Sequence, residues 1–323
     1  MPSERIRPPA LQAGDTVGII APASNIKSEA LAAGCRALGD LGFKPFCFDS
    51  IFDQDLYFAG SVERRVRELE DMFLRDEVRA IVCARGGYGT NHLLDKIDLE
   101  KIRAHPKIFV GYSDVTSLLT YFADAAGLVT FHGPMVTKDF SHSDGVDLVS
   151  WNAALSGTSD WALDLGSGSG VKALVDGAAE GTLYGGCLSM LAASLGTPFE
   201  MQTNGTILFI EDVATKPYQI DRMLMQLKLA GKLDHVRGLV FGEMLDCAQN
   251  DNQGYTLEEV VLRVVSDLKI PVAWGLRSGH VSRGNVTLPL GVRASLTVKS
   301  GQTSLRILES ATAAREMYAK NRR

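Results

Sequence analysis

The sequence predicts an α/β protein built on a parallel sheet with helices on both faces. Near-continuous apolar runs at residues 16–21, 78–84 and 108–110 read as strands buried on both sides. Segments with helical spacing alternate with them, as in Leu31, Cys35, Leu38 and Leu41. Glycine-rich turns, of which Gly86-Gly87-Tyr88-Gly89 is the densest, follow the runs. Strand and helix signals that alternate in this way place the strands side by side and in parallel.

In order, residues 16–21 form a strand and residues 28–42 a helix that ends on glycine. Residues 43–48 form the next strand, and 61–75 an amphipathic helix with Ser61 as its N-cap. Residues 78–84 are apolar except for Arg79; 108–110, 114–126 and 129–131 then read as strand, helix and short strand. From 141 to 174 the composition turns to serine, glycine and aspartate, which predicts an interdomain connection with a short helix near 149–155. The expected division is therefore 1–140, 141–174 and 175–323. The last part carries strands at 181–183, 206–210 and 238–241, and helices at 188–195, 219–230 and 257–268. It closes with β-like segments at 286–290, 294–298 and 304–307.

At 323 residues, 46% hydrophobic and 22% charged, the chain has ample material for buried cores. A net charge of −5, with no basic block before Lys320-Asn321-Arg322-Arg323, argues against nucleic acid as a partner. Residues 1–5 are polar and lead to Pro8-Pro9, not to the apolar core of a signal peptide. The run 17–21 is too short to span a bilayer. The expectation is a cytoplasmic protein with no membrane partner. Five cysteines without a C-x-x-C pair read as thiols, not as a disulfide framework.

Three strand-end positions offer chemistry. Ser113 follows the apolar run and Gly111 at a strand-to-helix turn, where backbone N–H groups surround a raised hydroxyl. Glu211 ends the run Ile207-Leu208-Phe209-Ile210, pointing to the crevice where open α/β sheets bind ligands. His280 lies in Ser278-Gly279-His280, before another apolar segment. Together they supply a nucleophile, a base to take its proton, and a carboxylate to hold the imidazole tautomer. The turn after residue 84 suits an oxyanion or a phosphate. It matches neither G-x-G-x-x-G nor a P-loop, which argues against a dinucleotide site.

These segments, with Phe131-His132-Gly133-Pro134-Met135, residues 180–186 and Thr287-Leu288-Pro289-Leu290-Gly291, resemble the LD-carboxypeptidase family. The motifs stand in family order from about Asp15 to Gly291. The resemblance implies a flavodoxin/Rossmann-like N-terminal domain supplying Ser113, and a smaller, β-rich α/β C-terminal domain supplying Glu211 and His280 as a Ser-Glu-His triad. It also implies a cytoplasmic homodimer of the muramoyltetrapeptide carboxypeptidase type. Such an enzyme removes terminal D-alanine from murein tetrapeptide, after meso-diaminopimelate, in peptidoglycan recycling. It needs no metal and no organic cofactor, and the sequence contains no H-E-x-x-H spacing.

On this reading the oxyanion is held by the backbone N–H of Asp114 with that of Gly86 or Gly87, and Arg85 or Arg222 pairs with the departing carboxylate. A microcin-immunity-type hydrolase of peptidyl-nucleotides is the close rival. The loop expected to stack on a base, residues 244–255, is polar and offers only Tyr255. A non-catalytic protein closing on a small ligand is the rival from another class.

Overall fold

The computed structural model describes residues 5–165, 169–248 and 254–315. Residues 1–4, Gly166-Ser167-Gly168 of the expected connection, 249–253 of the polar loop and the basic tail at 320–323 lie outside the described residues. The strands form two sheets.

The first sheet contains β1 (Thr16–Ile20), β2 (Lys44–Phe46), β3 (Val78–Cys83), β4 (Ile108–Gly111) and β5 (Thr130–His132). They are all parallel, in the spatial order β2-β1-β3-β4-β5. This is the flavodoxin-like order, whose ligand crevice opens at the carboxyl ends of β1 and β3. β1, β3 and β4 are buried almost throughout, which is why their sequences run apolar without alternation. The covering helices include α1 (Ser28–Asp40) and α2 (Val62–Leu74), the latter capped by Ser61, whose hydroxyl accepts the Arg64 N–H. α3 (Leu99–Ala104) lies between β3 and β4. The helix expected at 114–126 is three pieces: a tight turn at Ser113–Val115, α4 (Thr116–Tyr121) and a wide turn at Phe122–Ala126 that stops at left-handed Gly127.

Residues 141–174 are more than a connection. They hold α5 (Leu148–Leu155), near the expected position, and then β6 (Trp161–Asp164) and β7 (Lys172–Val175), the two edges of the second sheet. Edge strands are short and paired on one side, so they lack the apolar run that marks a central strand. The interior strands are β8 (Gly177–Cys187), β9 (Thr206–Glu211), β10 (Gly238–Gly242), β11 (Val272–Leu276), β13 (Arg293–Val298) and β14 (Ser304–Ile307). β8 to β11 are parallel; β13, β14, β6 and β7 join antiparallel. α6 (Leu188–Ala193), α7 (Pro217–Leu229) and α8 (Leu257–Val265) complete this half.

β12 (Leu288–Leu290) crosses back to pair antiparallel with β5 at the edge of the first sheet. Its Pro289 cannot donate to a ladder and sits on an edge strand, where that loss is tolerated. The hydrophobic core is continuous through this crossing: Leu183, Phe209 and Val240 cluster with Phe109, Phe131 and Leu288. Each such buried side chain contributes about 1.5–3 kcal/mol. The crossing ties the loop carrying His280 to the sheet carrying Ser113.

Candidate active site

Ser113 stands where β4 ends. Tyr112 is still extended at φ −157°, and Ser113 then takes φ +65°. A non-glycine residue in this region costs about 1–3 kcal/mol and persists only where its surroundings enforce it. The enforcement is visible. The buried Asp114 carboxylate accepts the Thr90 N–H at 2.8 Å, and Thr90 Oγ1 donates to the Asp114 carbonyl at 2.6 Å. Burial pushes the Asp114 carboxyl up, and the Thr90 bonds oppose that. Gly86 packs on the serine so closely that an added Cβ would lie 2.7 Å from Ser113 Cβ and 2.9 Å from Oγ. The glycine turn is itself held by the buried Arg65 guanidinium, which donates to the carbonyls of Pro22 and Gly89 at 2.9 Å.

Glu211 closes β9, a strand of six buried residues, and is wholly buried. Its Oε2 accepts two bonds from His280, from the backbone N–H at 3.0 Å and from ring Nδ1 at 2.7 Å. Burial pushes the Glu211 carboxyl up, but the charge on His280 and the imidazoles of His132 and His280 outweigh it. The group is held well below the usual carboxylate range. Gly279, at φ +91°, lets the loop close on the carboxylate, since a Cβ there would meet Glu211 Cδ at 2.6 Å. Asn285 pins the loop: its Oδ1 accepts the Gly279 N–H, and its Nδ2 donates to the Gly279 carbonyl, both at 3.0 Å. With Nδ1 donating to a carboxylate, His280 presents Nε2 as its basic nitrogen. The Tyr112 ring meets the imidazole edge to face at 5.1 Å.

Ser113 and His280 line one cleft of about 540 Å³, together with Gly86, Gly87 and Arg85. Glu211 lies beneath it, and the Asp114 N–H neighbours Gly86. Lys27 and Lys138 line the same cleft. Sequence reasoning passed over both, because each is one exposed lysine in an ordinary polar context. Arg85 donates to the Asn25 carbonyl at 3.2 Å. Arg222 is not brought to the cleft. The inward face of α7 is Ile220, Leu224 and Leu227; Arg222 points outward, 6.0 Å from the Tyr218 ring. A larger cavity of about 650 Å³ between α7 and α8 includes Tyr218 and Tyr255 and none of Ser113, Glu211 and His280.

His132 is the residue whose place the sequence did not reveal. It is fully buried in β5, with Nε2 3.7 Å from the second oxygen of Glu211. A histidine inside an apolar strand was the available signal, but its partner lies 79 positions away, 211 − 132. The cysteines carry no activated thiol: burial pushes Cys83 and Cys187 up, and Cys35 and Cys247 to about 11. Among the described residues, no three His, Cys, Asp or Glu side chains group to hold a metal ion.

Residues 17–133 match the family model for the LD-carboxypeptidase N-terminal domain, and residues 180–296 that for the C-terminal domain. A probable murein peptide carboxypeptidase of Bacillus subtilis is 40% identical over 294 residues, covering 90% of this chain and 91% of that protein. The microcin C7 self-immunity protein MccF of Escherichia coli is 29% identical, covering 91% and 94%. The crystal structure of muramoyltetrapeptide carboxypeptidase from Oxalobacter formigenes superposes with a TM-score of 0.83 at 32% identity, covering 91% of this chain and 99% of that one.

Proposed function

Because the chain belongs to the LD-carboxypeptidase family and is a carboxypeptidase, we propose that it cleaves an L,D-peptide bond by serine catalysis. Its substrate is murein tetrapeptide, from which it releases terminal D-alanine in cytoplasmic peptidoglycan recycling. The observation that carries this reading is the buried Glu211–His280 pair opening onto the same cleft as Ser113. Ser113 Oγ attacks the carbonyl of the L-residue while its proton passes to His280 Nε2. The oxyanion is received by the Asp114 N–H and by that of Gly86 or Gly87, donors each worth about 3–4 kcal/mol in the transition state. Collapse breaks the C–N bond, and His280 returns the proton to the departing D-amino acid. A water then loses its proton to His280 and cleaves the Ser113 ester, giving the tripeptide and restoring the serine.

Glu211 stays ionised throughout, fixing the ring and stabilising the imidazolium. On this reading Arg85 pairs with the departing carboxylate, and the support is that it lines the same cleft as Ser113, together with Lys27 and Lys138. Five unpaired thiols fit a reducing compartment. The homodimer expected from the resemblance is part of this reading, and sedimentation measures it.

The position of Tyr255 favours a peptide substrate over a nucleotide-bearing one, because this residue faces the α7–α8 cavity and not the Ser113 cleft. The test is incubation with tetrapeptides ending in meso-diaminopimelate-D-Ala and L-Lys-D-Ala, an all-L control and an aminoacyl-sulfamoyl nucleoside, with products read by mass. D-alanine from the first or second alone supports the reading. Cleavage confined to the nucleoside or the all-L peptide overturns it.

A further inference from the structure

The hydrogen bonds around His132 fix where its protons lie. Ser278 Oγ stands 2.8 Å from the Val286 carbonyl and 3.0 Å from His132 Nδ1. A carbonyl only accepts, so the one hydroxyl hydrogen of Ser278 goes to Val286. His132 Nδ1 must therefore be an N–H that donates to Ser278. Were His132 neutral, its remaining nitrogen would turn a bare lone pair toward Glu211 Oε1 at 3.7 Å, in a place closed to water. Neither of those two atoms has a hydrogen-bond partner among the described residues. At 3.7 Å the contact is too long for a hydrogen bond but within reach of an ion pair, should the imidazole carry a second proton.

The groups around this pair come from five elements. They are Glu211 of β9, Ser278 and His280 of the loop after β11, Tyr112 after β4, Cys187 of β8, and Asp139 and Lys138 behind Tyr112. Burial keeps the Tyr112 hydroxyl and the Cys187 thiol protonated. Asp139 is engaged by the Met135 N–H and by Asn285. Asp212, next in sequence, accepts from the Ser189 and Val213 N–H groups. The anion that faces His132 is Glu211.

We propose that His132 is a positioning residue, an imidazolium protonated on both nitrogens that holds the second oxygen of Glu211 and limits the charge this carboxylate exerts on His280. The inference rests on the Ser113–His280–Glu211 reading and extends it. A base must be neutral to accept the serine proton, and a carboxylate within hydrogen-bond reach, as Glu211 is of His280 at 2.7 Å, favours the charged form of an imidazole. Sharing Glu211 between two imidazoles lets one carboxylate orient His280 without over-stabilising its protonated form. His132 does not line the cleft, so it acts through Glu211 and not on the substrate.

Two measurements test this. In the wild-type protein carrying ¹⁵N-histidine, long-range ¹H–¹⁵N correlation at pH 7–8 should show one slowly exchanging histidine protonated on both nitrogens. In His132→Gln, the acid limb of the kcat/KM profile on the diaminopimelate tetrapeptide should move up by about 1 pH unit, with KM unchanged. A neutral tautomer at His132, or an active variant whose acid limb stays in place, overturns the proposal. If the variant does not fold, the wild-type spectrum decides alone. A Ser113→Ala protein that still turns over would remove the triad reading, while the spectrum would still report the protonation of His132 independently.

Discussion

Replacing Gly86 by alanine isolates the close approach of the glycine turn to Ser113. The added methyl would sit 2.7 Å from Ser113 Cβ, 2.9 Å from Oγ and 3.3 Å from the Asp114 nitrogen. Carbon atoms in contact prefer about 3.5–4.0 Å, so turn and serine must separate by about 1 Å. Ser113 cannot yield freely, because its φ of +65° is held by the Thr90–Asp114 bonds. Overpacking of this kind costs about 1–3 kcal/mol of stability. A displacement near 1 Å at reacting atoms costs about 100-fold in rate. The same shift opens the gap between the Gly86 and Asp114 N–H groups, so the loss falls on kcat. The assay is steady-state release of D-alanine, with urea denaturation run alongside. A folded Gly86→Ala enzyme with kcat within twofold of wild type would refute the reasoning.

Gly39→Ala is the matched control: Gly39 is exposed in α1 with nothing near an added Cβ, so stability rises by about 0.5–1 kcal/mol in urea with activity unchanged. Glu211→Gln removes the charge that holds the His280 tautomer, and kcat falls by about 10⁴ while KM changes little. Because the Glu211 carboxyl is depressed in the folded state, its contribution is present above the unfolded carboxyl value near pH 4 and lost as pH falls further. Acid titration of wild type should therefore be steeper below about pH 4 than that of the variant. Asp124 has the opposite sign: burial lifts its carboxyl to about 6 despite the bond from the Tyr184 hydroxyl, so stability falls as pH rises from about 4 to 6. Asp124→Asn should remove that slope, so that relative to wild type it gains about 2–3 kcal/mol between pH 4 and pH 8, read by urea denaturation at both values.

What the sequence displays is what local chemistry decides. β1, β3, β4 and β9 run apolar because both faces are covered, and Ser61 precedes its helix because an N-cap hydroxyl is locally rewarded. Ser113 and Glu211 were legible for the same reason, each being a polar residue at the end of such a run. What stayed hidden depends on partners far along the chain. β6 and β7 are edge strands whose neighbours lie more than 90 residues away, and β11 is broken up by Gly275 behind Pro271. Residues 288–290 read as a strand, but nothing local says that they pair with β5 in the other sheet. Arg222 shows the converse error. An arginine on a helix is equally consistent with either face, and only the packing of α7 decides. His132 needed both Ser278 and Glu211 in view before its protons could be assigned.

The central claim, that Ser113 is an acyl-forming nucleophile driven by the His280–Glu211 pair, is tested most directly by rapid quench and peptide mapping. Wild-type enzyme mixed with tetrapeptide and quenched in acid should carry the tripeptide acyl mass on the peptide containing Ser113. The adduct should vanish in Ser113→Ala along with D-alanine release. Turnover by Ser113→Ala at the wild-type rate, or an acyl group mapped to another residue, would contradict the account.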